Sequence, residues 1–164
     1  MEQEKISSAE KIMTYILKNS DLANQLSRRL VFEDFGLSCS KYKILRALAE
    51  EGAPLRLSVL SKRLCVSNAN VTGLVNRLER DGYIKKIPNP TDKRVTLVQL
   101  TRRGEKLYQK ISSLYDQTFH SIFEAIPPQE QEEILFSLEK LYHFLQTCPS
   151  QSSYLLSTTQ NTKG

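Results

Sequence analysis

Between Ser67 and Asp81 the apolar residues Val71, Leu74, Val75 and Leu78 recur at i, i+3, i+4 and i+7, the buried stripe of a helix. What is left to face outward near the start of that helix is Asn68, Ala69, Asn70, Thr72, Gly73, Asn76 and Arg77, with no carboxylate before Glu79. Short amides, a hydroxyl and one guanidinium suit the major groove of a DNA duplex. There Asn pairs with adenine, Arg with guanine, and a Thr methyl meets that of thymine. Ser67, Asn68, Asn70, Thr72, Asn76 and Arg77 are therefore the candidate base and backbone contacts. A plain solvated helix face is the alternative, although such a face normally carries Glu and Lys.

The elements that must position this helix follow from the same sequence. A short helix after Leu57, with Ser58 as its expected cap, is joined to Ser67 by Cys65-Val66-Ser67, which makes a helix-turn-helix. Before it, Ser38 opens a helix with Tyr42, Leu45 and Leu48 inward, closed by Gly52. After Gly82 the period changes to two. Tyr83–Ile87 and Arg94–Leu100 read as two strands around a polar turn, Pro88–Lys93. The prediction is a mainly α, α+β winged helix with a two-stranded wing. Lys86, Lys93 and Arg94 are the wing's candidate DNA contacts. Asp92, repulsive toward DNA unless paired, is expected to bond Arg94 or turn amides and fix the wing's shape. Lys62, Arg63, Lys85, Lys86, Arg102 and Arg103 are candidates for phosphate contacts, which position without reading sequence.

Charge divides the chain the same way. Residues 41–110 hold 16 Lys+Arg against 6 Asp+Glu, whereas the remainder holds 7 against 12. A basic block between acidic flanks points to a polyanion for the middle and another task for the ends. Those ends read as long amphipathic helices. One starts at a Ser7–Glu10 capping box and runs to about Phe32; a second follows Thr101; a third follows Pro128 with Ile134, Leu138, Leu141 and Leu145. Their combined apolar surface exceeds what one small winged helix covers, so a two-fold homodimer is expected, with a monomeric helical bundle as the alternative. The expected organisation is a dimerisation helix over 1–36, a DNA-binding domain over 37–100, dimerisation helices over 101–146 and a disordered tail over 147–164.

The run Leu74–Ile84, the wing Asn89–Arg94 and the step Leu100-Thr101-Arg102-Arg103-Gly104 closely resemble the MarR family of bacterial transcription regulators. The resemblance spans roughly residues 8–146. It implies a homodimeric winged helix on a pseudo-palindromic operator, usually a repressor released by a small ligand or by oxidation. It makes the helix from Ser67 to Arg77 the recognition helix and Arg94 the minor-groove residue. Lys93 replaces the family's usual Arg, keeping the charge but losing the planar fork. It also implies a crevice for a phenolic or other aromatic ligand, for which Tyr15, Arg28, Tyr42 and Arg46 are the candidates. The hydroperoxide-sensing branch places its reactive cysteine in the first long helix, and here none precedes Cys39. A thiol-sensing alternative would rest on Cys39, whose place after a helix cap is expected to lower its pKa, on Cys65, or on Cys148.

Other functions find little support. The two histidines, His120 and His143, lie in acidic, core-like helical stripes. No nucleophile elbow, phosphate loop, CxxC or HExxH spacing occurs, so neither an enzyme nor a metal or other cofactor is expected. A helical protein-interaction module without DNA binding is the competitor from another class, and the basic block argues against it. Three cysteines, no apolar signal core and no long apolar run lead to an expected cytoplasmic location without a membrane partner.

Overall fold

A computed structural model describes residues 7–147, and the chain divides into two compact units at Phe119/His120. Of the disordered tail expected over 147–164, Thr147 is instead the last residue of a helix, and residues 148–164, with Cys148, lie outside the described residues. In the first unit, helix α1 (Ser8–Ser27) begins as its capping box requires, with the Ser7 hydroxyl accepting from the Glu10 N–H at 3.2 Å. Helical winding continues past Ser27, but as a π-helical turn over Arg28–Phe32 and a 3-10 turn over Glu33–Phe35, ending at left-handed Gly36. The widened turn places Val31 and Phe32 side by side in the core.

Helix α2 (Cys39–Glu51) is capped by Ser38 and closed by Gly52 at φ 66°, as expected for that pair of residues. Strand β1 (Leu55–Arg56) then leads into α3 (Leu57–Arg63). The cap of α3 is Arg56 with no side-chain bond. Ser58 lies inside the first turn, where its carbonyl accepts from the Ser61 hydroxyl, so the expected Ser58 cap is corrected. Helix α4 (Asn68–Arg80) is capped by Ser67, whose hydroxyl accepts from the Asn70 N–H. The turn between the helices also includes Leu64, half-buried against the core.

Strands β2 (Ile84–Pro88) and β3 (Thr96–Leu100) form the wing, and β1 pairs with the far side of β3. The wing is the expected two-stranded hairpin, and β1 extends it to a three-stranded antiparallel sheet in the order β1-β3-β2. Arg94 and Val95 belong to the turn rather than to a strand, while Pro88 ends β2 on the sheet's edge.

Ile44, Leu45 and Leu48 of α2 close over Leu60 of α3 and Val71, Val75 and Leu78 of α4, together with Ile84, Val98 and Ile111. Each such side chain contributes roughly 1.5–3 kcal/mol through burial. Helix α5 (Arg102–Phe123) is seated by its aromatic residues. Tyr108 and Tyr115 lie 6.0 and 5.6 Å from the Tyr42 ring, and Tyr115 lies 6.1 Å from that of Phe32.

The second unit holds the end of α5, a turn and helix α6 (Pro128–Thr147), with Pro128 at the first helical position. Gln131 closes that turn by donating to the carbonyls of Phe123 and Ile126 at 3.0 and 2.8 Å. No residue of α6 is buried, and Phe136 and Phe144 are 67% and 66% exposed. In the first unit α1 buries only Ser27, leaving Ile12, Leu17 and Leu22 open.

Candidate nucleic-acid interface

The candidate surface is built from the α4 cap outward. Because Ser67 spends its hydroxyl on the Asn70 amide, it acts first as the residue that starts the helix. The Thr72 hydroxyl donates to the Asn68 carbonyl at 2.8 Å, so its methyl and oxygen lone pairs are what remain for a partner. Asn68, Asn70, Asn76 and Arg77 are all exposed. A Cβ built on Gly73 would meet nothing within 4 Å. That glycine is therefore not spaced for packing within the chain, and it leaves the middle of the α4 face open.

The far end of α4 is locked to α5. Gly82 adopts φ 76°, and the Thr101 hydroxyl donates to its carbonyl at 2.8 Å while accepting from the Gly104 N–H. Thr101 also donates its own N–H to the Tyr83 carbonyl. A side chain at Gly104 would land on that carbonyl oxygen. The Leu-Thr-x-x-Gly step is thus a cap followed by a close backbone approach.

The wing turn is held by two side chains. Asp92 accepts from the Arg94 N–H at 3.0 Å, the turn-amide role expected of it. Asn89, which sequence reasoning passed over, is only 7% exposed. Its side-chain oxygen accepts from both the N–H and the hydroxyl of Thr91, and its N–H donates to Val95. Its sequence trace is an Asn two residues before a Thr in a turn, the pattern of an Asx turn. On this frame Lys93 and Arg94 stand exposed. With Arg77, they form no ion pair among the described residues.

Three other basic candidates, Lys86, Arg63 and Arg103, are already engaged. Lys86 Nζ lies 2.6 Å from both Asn76 Oδ1 and Glu79 Oε2. Arg63 donates to the Ala47 carbonyl and to Glu51, which makes it a brace between α3 and α2. Arg103 lies over the Tyr83 ring at 4.9 Å.

Of the candidate ligand residues, the structure brings together two and separates two. Tyr42 and Arg46 line a crevice of about 250 Å³ with Ser20, Asn24, Lys43 and Tyr115. Tyr15 is 65% exposed elsewhere on α1, and Arg28, in the π-helical turn, lines a different depression beside Arg29 and Glu33. Arg46 is paired with Glu50 at 2.7 Å. Burial pushes the Tyr42 hydroxyl up, against an opposing hydrogen bond from Ser112. Cys39 lines the same crevice with its thiol toward the Asn24 carbonyl at 3.6 Å. Burial raises its pKa and outweighs the backbone bond and nearby cations, so the expected lowering is corrected.

A helix-turn-helix with a basic wing on a three-stranded sheet defines the winged helix class of transcription regulators. The chain matches the family model described as MarR family over residues 37–96. It is 28% identical over 108 residues to the HTH-type transcriptional regulator YkoM of Bacillus subtilis, covering 66% of this chain and 70% of that one. The fold is shared with the transcriptional regulator BldR of Sulfolobus solfataricus, with a TM-score of 0.74 at 23% identity over 86% of this chain and 99% of BldR. A structure of NadR in complex with 4-hydroxyphenylacetate is similar with a TM-score of 0.68 at 25% identity, covering 86% and 96%. Among the described residues no helix is long and apolar enough to cross a membrane.

Proposed function

We propose that the protein is a sequence-specific DNA-binding repressor that acts as a homodimer on a pseudo-palindromic operator. Helix α4 enters the major groove with Asn68, Asn70, Thr72, Asn76 and Arg77, and the wing carries Lys93 and Arg94 to the adjacent minor groove or phosphates. The observation that carries this reading is the exposed, carboxylate-free start of α4 beside a wing whose turn is fixed internally by Asp92 and Asn89. Preorganisation of this kind spares the ordering cost of binding.

The exposed apolar residues of α1 and α6 support the dimer. Two linked half-sites multiply a modest single-helix affinity through effective concentration. Release by a small aromatic acid is the regulatory part of the proposal. The crevice offers the Tyr42 and Tyr115 rings as walls and Lys43 and Arg46 as carboxylate partners, and a hydroxylated aromatic acid is what NadR holds.

Fluorescence anisotropy on DNA selected from a random pool tests the central part. Affinity is expected to fall steeply with salt, with a log–log slope of about −0.9 for each phosphate neutralised. A flat titration contradicts it.

A further inference from the structure

Asn76, Glu79 and Lys86 form a closed cluster beside the recognition surface. Lysine has only donors, so the Asn76 atom 2.6 Å from its ammonium is the amide oxygen. Lys86 is held in place twice by Glu79, which accepts from its ammonium at 2.6 Å and from its backbone N–H at 3.3 Å. The Lys86 hydrogen bond also keeps the Glu79 carboxyl below its ordinary range, so the anchor stays ionised. What Asn76 turns outward is then its NH2 group.

We propose that Lys86 and Glu79 are positioning residues for base specificity, fixing Asn76 as a donor that reads guanine rather than adenine. The inference rests on the DNA-binding reading above. Bidentate recognition of adenine needs the amide oxygen to accept from N6 while the NH2 group donates to N7. Here the oxygen faces an ammonium, which opposes the approach of a second positive donor edge. Guanine offers O6 and N7, both acceptors, and the adjacent positive charge favours them. A free Asn predicts an A·T pair at this position; an Asn bound to Lys86 predicts G·C.

Selection from a random DNA pool with the full chain and its variants decides between them. The wild type is expected to enrich G·C at one position of each half-site, and Asn76→Ala to erase the preference there alone. Lys86→Met is expected to shift that position toward A·T by about tenfold in preference ratio, leaving the other positions unchanged. Lys86→Arg, which keeps a cationic donor, is expected to retain G·C. Glu79→Gln, which loosens the anchor without removing Lys86, should move the same position the same way and serves if Lys86→Met misfolds. An unchanged preference in Lys86→Met with uniformly weaker binding would overturn the proposal and leave Lys86 as a phosphate contact. So would A·T in the wild type. A wild type that enriches no sequence refutes the DNA-binding reading itself and the proposal with it.

Discussion

The ammonium of Lys41, one turn into α2, lies 2.8 Å from the carboxylate of Asp81 at the C-cap of α4. The pair ties the end of α4 to α2, 40 residues earlier in the chain. Lys41 is mostly shielded, at 17% side-chain exposure against 31% for Asp81.

The Lys41 hydrogen bond holds the Asp81 carboxyl below its ordinary range. A depressed folded pKa contributes stability that is complete above the unfolded value, near pH 3.9, and is lost as pH falls through the folded one. Asp81→Asn is expected to remove about 0.5–1 kcal/mol near neutral pH and to flatten the acid limb of the stability profile. Urea unfolding of both proteins from about pH 3 to pH 7 measures this. Parallel profiles would show that the bond adds nothing.

Gly104→Ala places a methyl group against the Tyr83 carbonyl, and backbone cannot swing aside as a side-chain tip does. A loss of about 2–4 kcal/mol is expected in denaturant unfolding. Gly73→Ala, in open space, is expected to gain up to about 1 kcal/mol from helix propensity. Equal effects at the two glycines would contradict the packing described at the α4–α5 junction.

Cys65 occupies the left-handed region at φ 53° in the turn between α3 and α4. That conformation costs a side-chain-bearing residue about 1 kcal/mol or more. Cys65→Gly is therefore expected to raise the stability by about 0.5–1 kcal/mol, read as a higher thermal midpoint. A lower midpoint would mean that the exposed thiol makes a contact worth more than the strain.

Much of this arrangement is legible in the sequence because it is local. The Ser7, Ser38 and Ser67 caps, the Gly52 stop, the α4 stripe and the Thr101 cap each depend on residues within about a turn of one another. What is not legible depends on partners far along the chain. Leu55-Arg56 has no strand period of its own and becomes β1 only because β3 offers Val98 and Leu97. Asn89 reads as one more polar turn residue until the turn folds over it. Lys86 reads as a phosphate contact, yet its partners lie across the α4–β2 junction. The crevice beside Tyr42 takes Ser20, Asn24 and Ser27 from α1, small polar residues that read as solvent-facing, whereas Tyr15 lies on another face.

The wing separates shape from charge. Removing the Asp92 carboxylate lowers repulsion toward DNA, so charge alone predicts tighter binding for Asp92→Ala. Loss of its bond to the Arg94 N–H loosens the turn, so shape predicts weaker binding, by about 1 kcal/mol. Arg94→Ala is expected to cost about 1–3 kcal/mol if its guanidinium enters a groove. Anisotropy at fixed salt reads both, and a tighter Asp92→Ala complex would refute the preorganised wing.

The doubled assembly on duplex DNA is tested most directly by sedimentation together with hydroxyl-radical footprinting of one complex on the selected site. Two chains per duplex are expected, protecting half-sites about one helical turn apart, roughly 10 base pairs. Leu138→Asp, on the exposed face of α6, is expected to abolish both the pairing of chains and the second protected patch. A single chain that protects a lone half-site as tightly as the wild type protects two would contradict the account.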